Sequence, residues 1–128
     1  MRPLTVAYGH MEKHRAIEAL GALAHETRLE IFRLLVQRGP HGLSAGTVAG
    51  SLGIPPSSLS FHLAHLHRAG LILQRRESRQ LIYSADYAGM DGLMSYLTEN
   101  CCAGDPAACA PACAAQPASP PGQERKRA

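Results

Sequence analysis

The stretch that decides the fold runs over residues 57–83 and reads SSLSFHLAHLHRAGLILQRRESRQLIY. Its first half places Leu59, Leu63 and Leu66 three and four residues apart, which is the spacing of one apolar helical face. Gly70 follows at a position typical of a helix end. Two short segments predicted to be extended, 71–76 and 80–84, come next, and the polar residues between them favour a turn. The stretch therefore predicts a helix followed by a β-hairpin.

Apolar residues also recur at helical spacing before this stretch. The stripes of the first two helices are Ile17, Leu20, Leu23 and Ala24, then Leu29, Phe32, Leu35 and Val36. Ser44 can cap a short third helix that buries Val48 and Leu52. Pro56 suits the first turn of a fourth helix, because a missing N–H costs little there.

A last helix is predicted from Asp86 to Asn100. Its apolar stripe is Met90, Leu93, Met94 and Leu97. Gly89 and Gly92 each weaken this helix by about 1 kcal/mol relative to Ala, so packing against another surface must offset the cost. A partner subunit is one candidate for that surface.

The order helix, helix, helix-turn-helix, hairpin and helix predicts a mainly α fold with a β-hairpin, a winged helix-turn-helix. In this fold the second helix of the pair enters the DNA major groove and the hairpin reaches along the backbone. We expect a DNA-binding and dimerisation domain over residues 11–102, after a flexible N-terminus over residues 1–10. Residues 103–128 contain no Leu, Ile, Val or aromatic residue. They are expected to form a flexible Ala/Pro-rich tail, which carries Cys109 and Cys113.

Length and composition exclude several classes of protein. The 128 residues, 45% of them hydrophobic, are enough for one domain. No apolar run approaches the ~18 residues that a membrane span needs, and residues 1–10 lack the apolar stretch expected of a secretory signal. We therefore expect a cytoplasmic protein without a membrane partner, whose cysteines are thiols rather than disulfides.

Candidate DNA contacts lie on two elements of the fold. The helix face opposite the leucines carries Ser57, Ser58, Ser60, Phe61, His62 and His65, and the hairpin carries Arg75, Arg76 and Arg79. Hydroxyls near a helix N-terminus can bond phosphates or base edges, and arginines neutralise phosphates. Three plainer interpretations stay open: the serines at 57 and 58 cap the helix, the histidine at 62 packs, and the arginines are ordinary surface charge.

Three segments resemble the ArsR/SmtB family of bacterial metal-sensing repressors. They are LAHETRLEI at 23–31, SSLSFHL at 57–63 with AGLI at 69–72, and RESR at 76–79 with IY at 82–83. The resemblance implies a homodimer that joins through its first and last helices, binds double-stranded operator DNA and releases it when an inducer binds. Two positions depart from the family pattern: Ser78 replaces a wing-tip Gly, and Phe61 replaces a residue that is often basic.

The usual sensor positions of the family are also changed. Residues 43–47, LSAGT, lack the Cys-x-Cys pair of many arsenic-responsive members, and no His follows His67 to build a zinc or nickel site on the last helix. However, YLTENCC at 96–102 resembles a subgroup with vicinal cysteines after the last helix and a third cysteine downstream.

The four cysteines favour a soft, thiophilic inducer. Cys101 and Cys102 with Cys109, with Cys113 instead, or with a thiolate of the other subunit, supply the three sulfurs that trivalent arsenic or antimony prefers. We expect arsenite, antimonite or methylarsenite as inducer, and no cofactor for DNA binding itself. Alternatives are a zinc site, which lacks the usual Cys-x2-Cys spacing, a thiol redox switch, or cysteines without a role. A small thiol enzyme is not expected, because no Cys lies in a folded stretch beside a general base.

Overall fold

The computed structural model describes residues 11–104, which form two compact units, the first ending at Tyr96 and the second beginning at Leu97. The element order is α1 Lys13–Leu23, α2 Glu26–Arg38, β1 Leu43–Ser44, α3 Ala45–Leu52, α4 Pro56–Arg68, β2 Ile72–Glu77, β3 Gln80–Ala85 and α5 Tyr87–Leu97, with a short 3-10 segment at Cys101–Gly104. The predicted winged helix-turn-helix, mainly α with a β-hairpin, is confirmed. The expected N-terminal segment 1–10 and residues 105–128 of the expected tail lie outside the described residues.

Local chemistry sets the ends of the helix-turn-helix. The Ser44 hydroxyl accepts a hydrogen bond from the Thr47 N–H at 3.2 Å, so it caps α3 as predicted. Gly70, at φ +79°, ends α4 in a left-handed conformation. Its N–H bonds the His67 carbonyl and the Leu71 N–H bonds the Leu66 carbonyl, each at 3.1 Å, which is the Schellman pattern. The recognition helix of the predicted pair therefore ends where the sequence indicates.

The hairpin is the wing of the fold. β2 and β3 pair antiparallel, with Arg75 opposite Ile82. Ser78 turns the chain at φ +58°, so it occupies the left-handed conformation that Gly adopts more readily. The two-residue strand β1 also pairs with β3, which the sequence did not indicate because two residues cannot display an alternating pattern.

The core forms where α4 meets α2 and α3. Leu59, Leu63 and Leu66 are all buried, as predicted. Ile31 and Val48 are buried with them in the same cluster. Because one face of α4 is fixed against the core, its opposite face is directed to solvent.

The apolar stripe at helical spacing on α1 is directed only in part to the core, against which Leu23 packs. Ile17 and Leu20 are 61% and 42% exposed, whereas Ala16, Ala19 and Ala22 are buried. Small side chains let the α1 backbone approach its neighbours closely, and the larger residues then lie on the outer face. Leu29 of α2 likewise is exposed rather than buried.

The last helix is shorter than predicted. Asp86 caps it by accepting a hydrogen bond from the Gly89 N–H at 3.1 Å, but the helix ends at Leu97 rather than Asn100, whose φ is +56°. Of its predicted stripe, Leu93 is buried and Met94 is 47% exposed.

A close backbone contact explains one glycine of this helix. A Cβ at Gly89 would overlap the carbonyl oxygen of Gly70. The absence of a side chain at this position therefore lets α5 pack against the end of α4. Gly89 lowers the helix propensity of α5, but its missing side chain permits this contact.

None of the helices within residues 11–104 is long and apolar enough to cross a membrane.

Candidate nucleic-acid interface

The outer face of α4 presents short hydroxyls and one large apolar ring. Ser57 and Ser60 are exposed and Ser58 is half-buried. The helix begins after Pro55 and has no side-chain cap, so neither Ser57 nor Ser58 fills the capping role that the sequence left open. These side chains lie in the first turns of α4, where a recognition helix meets base edges.

Phe61 is the most solvent-exposed large apolar residue of the described chain, at 78%. It lies beside the exposed serines on α4. An isolated exposed apolar side chain is common, but a phenyl ring on the outer face of this helix can contact a thymine methyl in the major groove.

His62 and His65, two of the three histidines of α4, lie beside positively charged groups that include residues of α2. The Arg28 guanidinium Nη1 lies 3.5 Å from His62 Nδ1, and the rings of His25 and His62 are 4.9 Å apart between centroids. His62 is half-buried, so the packing interpretation is correct in part. An open pocket of about 490 Å³ is lined by this group: Arg28, Ser58, Phe61, His62, His65 and Arg68.

Burial first, and neighbouring positive charges second, lower the pKa of His62 and of His65. Burial is the main cause of the lowered pKa of His62, followed by the positive charges of His25, Arg28 and His65. Burial also lowers the pKa of His65, followed by Arg28 and Arg68, while Glu18 opposes the shift. Both imidazoles are therefore neutral over a wider pH range than an isolated histidine.

Sequence reasoning missed His25 and Arg28 as members of this surface. His25 is the N-cap of α2, where its Nδ1 accepts from the Thr27 N–H at 3.2 Å. Both residues belong to the LAHETRLEI segment, three residues apart, so they share one side of the start of α2. Their proximity to His62, 34 positions from Arg28, depends on tertiary packing that no local pattern displays.

The wing arginines differ in their surroundings. Arg75 donates to the carbonyls of Pro40 and His41, at 3.4 and 2.9 Å, and pairs with Glu77 at 3.2 Å. It therefore joins the wing to the α2–β1 loop. Arg76 and Arg79 lie on the exposed outer part of the hairpin, where phosphate contact needs no rearrangement of the fold.

The vicinal thiols lie in the second unit. Cys101 and Cys102 are half-buried; the Cys101 N–H donates to the Thr98 carbonyl at 3.0 Å and Cys102 has φ +57°. Cys109 and Cys113 lie outside the described residues. Residues 11–104 contain no group of three His, Cys, Asp or Glu side chains that could hold a metal ion.

Comparison with known proteins identifies the family. A family model described as a helix-turn-helix domain matches residues 23–75, from the end of α1 into β2. The transcriptional activator HlyU of Vibrio cholerae is 34% identical over 89 residues, which cover 68% of this chain and 80% of HlyU. The chain belongs to the ArsR/SmtB-type family of winged-helix transcriptional regulators.

Solved structures of other proteins share the fold. An ArsR-like transcriptional regulator from Rhodococcus sp. RHA1 is 27% identical, with a TM-score of 0.61 over 66% of this chain and 77% of that one. Reduced HlyU from Vibrio cholerae is 29% identical, with a TM-score of 0.54 over 68% and 90%. Mb0332 from Mycobacterium bovis, described as a homodimeric winged helix-turn-helix DNA-binding domain, shares the fold at 23% identity, with a TM-score of 0.56 over 69% and 81%.

Membership of the ArsR/SmtB-type family makes this chain a transcriptional regulator with a DNA-binding helix-turn-helix. The matched segment contains α3 and α4, so it includes the serines, Phe61 and the histidines of the candidate interface.

Proposed function

We propose that this chain is a transcriptional repressor that acts in the cytoplasm as a homodimer and leaves its operator when trivalent arsenic or antimony binds its C-terminal thiolates. The ligands are Cys101 and Cys102, with Cys109 or Cys113 as the third. Double-stranded DNA is bound by the chain alone, without a cofactor.

The observation that carries DNA binding is the outer face of α4. Its inner leucines are buried, so the serines, Phe61 and the imidazoles face away from the core together. Arg76 and Arg79 extend this surface along the hairpin. Short hydroxyls and a ring can read base edges while the arginines bind phosphates, which makes affinity depend on salt.

Exposed apolar residues of the first unit support the homodimer. Ile17 and Leu20 on α1 and Met94 on α5 are between 42% and 61% exposed. A two-fold interface buries the same patch on both subunits. It would remove these side chains from water and place one α4 in each half of a near-palindromic operator, about one DNA turn apart.

The donor chemistry of the C-terminus supports a metalloid. Trivalent arsenic and antimony are soft and prefer thiolates to imidazole or carboxylate. Arsenite, as As(OH)₃, exchanges its hydroxyls for sulfurs and releases water. Adjacent thiols on a regular helix point about 100° apart. Cys101 and Cys102 follow the end of α5 in a short 3-10 segment, where the left-handed backbone of Cys102 departs from regular α-helical geometry.

Release of DNA requires coupling between the thiols and α4. In the proposed dimer α5 belongs to the interface, so fixing the chain after its end changes the relative position of the two recognition helices. Allosteric coupling energies are commonly 1–3 kcal/mol, so a roughly 5- to 150-fold loss of operator affinity is expected.

Fluorescence anisotropy on a labelled operator duplex tests the proposal. Arsenite or antimonite should release the wild-type protein, whereas Cys101→Ser with Cys102→Ser should bind the duplex normally and stay bound. Separate Cys109→Ser and Cys113→Ser variants identify the third ligand. No release of the wild type at saturating metalloid contradicts metalloid sensing, and release of the double variant contradicts the assigned site.

A second candidate signal is thiol oxidation. A structure of the relative HlyU is described as reduced, so a redox state is distinguished for that protein. Exposed thiolates can oxidise to disulfides. In this alternative, peroxide releases the duplex, dithiothreitol restores binding and arsenite has no effect.

A further inference from the structure

The Arg28 guanidinium contacts two parts of the first unit at once. Its Nε donates to the Ala22 carbonyl at the end of α1, at 2.7 Å, and its Nη1 lies 3.5 Å from His62 Nδ1 on α4. A planar guanidinium held at one edge by a short hydrogen bond has little freedom at the other edge. Arg28 therefore connects the start of α2 both to α1 and to the outer face of the recognition helix.

The chemistry of arginine determines the direction of the second contact. A guanidinium has five N–H donors and no acceptor, and it stays protonated in proteins. The hydrogen bond to His62 can therefore form only if Nδ1 of His62 carries no proton and accepts. A neutral imidazole with a bare Nδ1 has its proton on Nε2, across the ring.

The neighbouring histidine supports the same arrangement. His25 Nδ1 accepts from the Thr27 N–H, so the His25 ring is held at the α2 N-terminus, and it lies beside His62 at an interplanar angle of 44°. His62 is thus bounded by a guanidinium and by a fixed ring. The lowered pKa of His62 agrees with a neutral imidazole between these groups.

Other charged groups near this site come from α1 and α4. Glu18 of α1 and Arg68 of α4 act on His65, and His65 acts in turn on His62. The positive charges outnumber the single carboxylate, so protonation of His62 would add a cation beside Arg28. Such a proton would also occupy Nδ1 and break the Arg28 contact.

We propose that Arg28 is a positioning residue that holds His62 as the neutral Nε2–H tautomer, so that His62 presents one N–H donor to an acceptor atom of the operator. The acceptor is an oxygen or nitrogen of a base edge or a phosphate oxygen. This inference rests on the proposed function, since it assumes that the outer face of α4 meets DNA.

Nitrogen-15 spectra of histidine-labelled protein test the tautomer without DNA. In the wild type at neutral pH, the His62 signals, assigned by their loss in His62→Gln, should show a bare Nδ1 and a protonated Nε2. Arg28→Gln should give a mixture of tautomers and a higher pKa of His62. Arg33→Gln, at an exposed arginine on the same helix, should leave both unchanged. A protonated Nδ1 in the wild type, or an unchanged tautomer in Arg28→Gln, overturns the proposal.

Measurements of operator affinity test whether the Nε2–H of His62 donates a hydrogen bond to the DNA. The amide nitrogen of Gln lies close to the position of Nε2 and that of Asn close to Nδ1. Relative to the wild type, His62→Asn and Arg28→Gln should each lose about five- to tenfold in affinity, the effect of one hydrogen bond, and His62→Gln should lose less because it keeps the donor. Equal affinity of His62→Gln and His62→Asn contradicts the donor position. Thermal melts of each variant exclude unfolding as the cause.

One further measurement distinguishes a base-edge acceptor from a phosphate acceptor. Another distinguishes failure of this inference from failure of the proposed function. A base-edge acceptor confines the loss in His62→Asn to one operator position, whereas a phosphate acceptor spreads the loss evenly over all sequences. If the wild type binds no duplex, the proposed function fails, and the tautomer in the nitrogen-15 spectra still decides whether Arg28 positions His62.

Discussion

The helices α4 and α1 both carry apolar stripes, but these stripes have different surroundings. On α4, Leu59, Leu63 and Leu66 are buried against the rest of the first unit. On α1, alanines occupy the buried side, and Ile17 and Leu20 face solvent. The α4 stripe therefore stabilises the fold of one chain, whereas the exposed α1 stripe contacts the second chain in the proposed homodimer.

The largest effect is expected for the buried stripe. Leu66→Ala removes a fully buried side chain from the core and should lower the free energy of unfolding by about 2–5 kcal/mol. Leu29→Ala, at an exposed leucine of α2, is the matched control and should cost much less. Urea unfolding followed by circular dichroism measures both. Equal losses would contradict the assignment of the core.

A substitution in the exposed apolar stripe of α1 should weaken dimerisation rather than folding. Ile17→Asp places a carboxylate in the proposed interface, where burial of an unpaired charge is unfavourable. We expect dimerisation to weaken about tenfold or more, with helical content retained. Gln37→Asp adds the same charge at an exposed position of α2 and should leave the dimer intact. Sedimentation equilibrium distinguishes the outcomes, and an unaffected dimer in Ile17→Asp would place the interface elsewhere.

A third comparison uses glycines on packed and open helical faces. Gly89→Ala should destabilise the chain by about 1–3 kcal/mol, because the new Cβ overlaps the Gly70 carbonyl. Gly50→Ala in α3 has no atom within 4 Å of its new Cβ and should stabilise the chain by about 0.5–1 kcal/mol. Thermal melts show whether each variant is more or less stable than the wild type. Stabilisation by Gly89→Ala would contradict the close packing of α5 on the end of α4.

The smallest effect is expected from the histidines on the outer face of α4. The pKa values of His62 and His65 are lowered from about 6.5 in the folded chain. As the pH falls below that value the unfolded chain binds protons first, so this contribution to stability is complete above about 6.5 and is lost toward acid. The melting temperature of the wild type should therefore fall more between neutral and mildly acidic pH than that of His65→Gln. An identical fall in both proteins would contradict the lowered pKa of His65.

Sequence patterns predicted the elements that depend on local chemistry. The leucine spacing of α4, the Ser44 cap, the Gly70 end and the hairpin are set by residues a few positions apart, and all four are confirmed. The serines, Phe61 and the histidines followed directly, because a buried stripe determines which residues face outward.

Features that depend on tertiary packing were missed or wrong. The outward position of Ile17 and Leu20 depends on which helices α1 meets, and the role of Gly89 depends on the Gly70 backbone. The contact of Arg28 with His62 joins two helices, so no local spacing could indicate it. The roles of Cys101 and Cys102 stay predictions, because their proposed partners at 109 and 113 lie outside the described residues.

Sedimentation velocity of the protein with a labelled operator duplex, before and after arsenite, tests together the homodimer and its release from DNA. The proposed function predicts two chains on each duplex without arsenite and protein-free duplex with it. One chain per duplex, or a complex that sediments unchanged at saturating arsenite, would contradict the account of a metalloid-released homodimer.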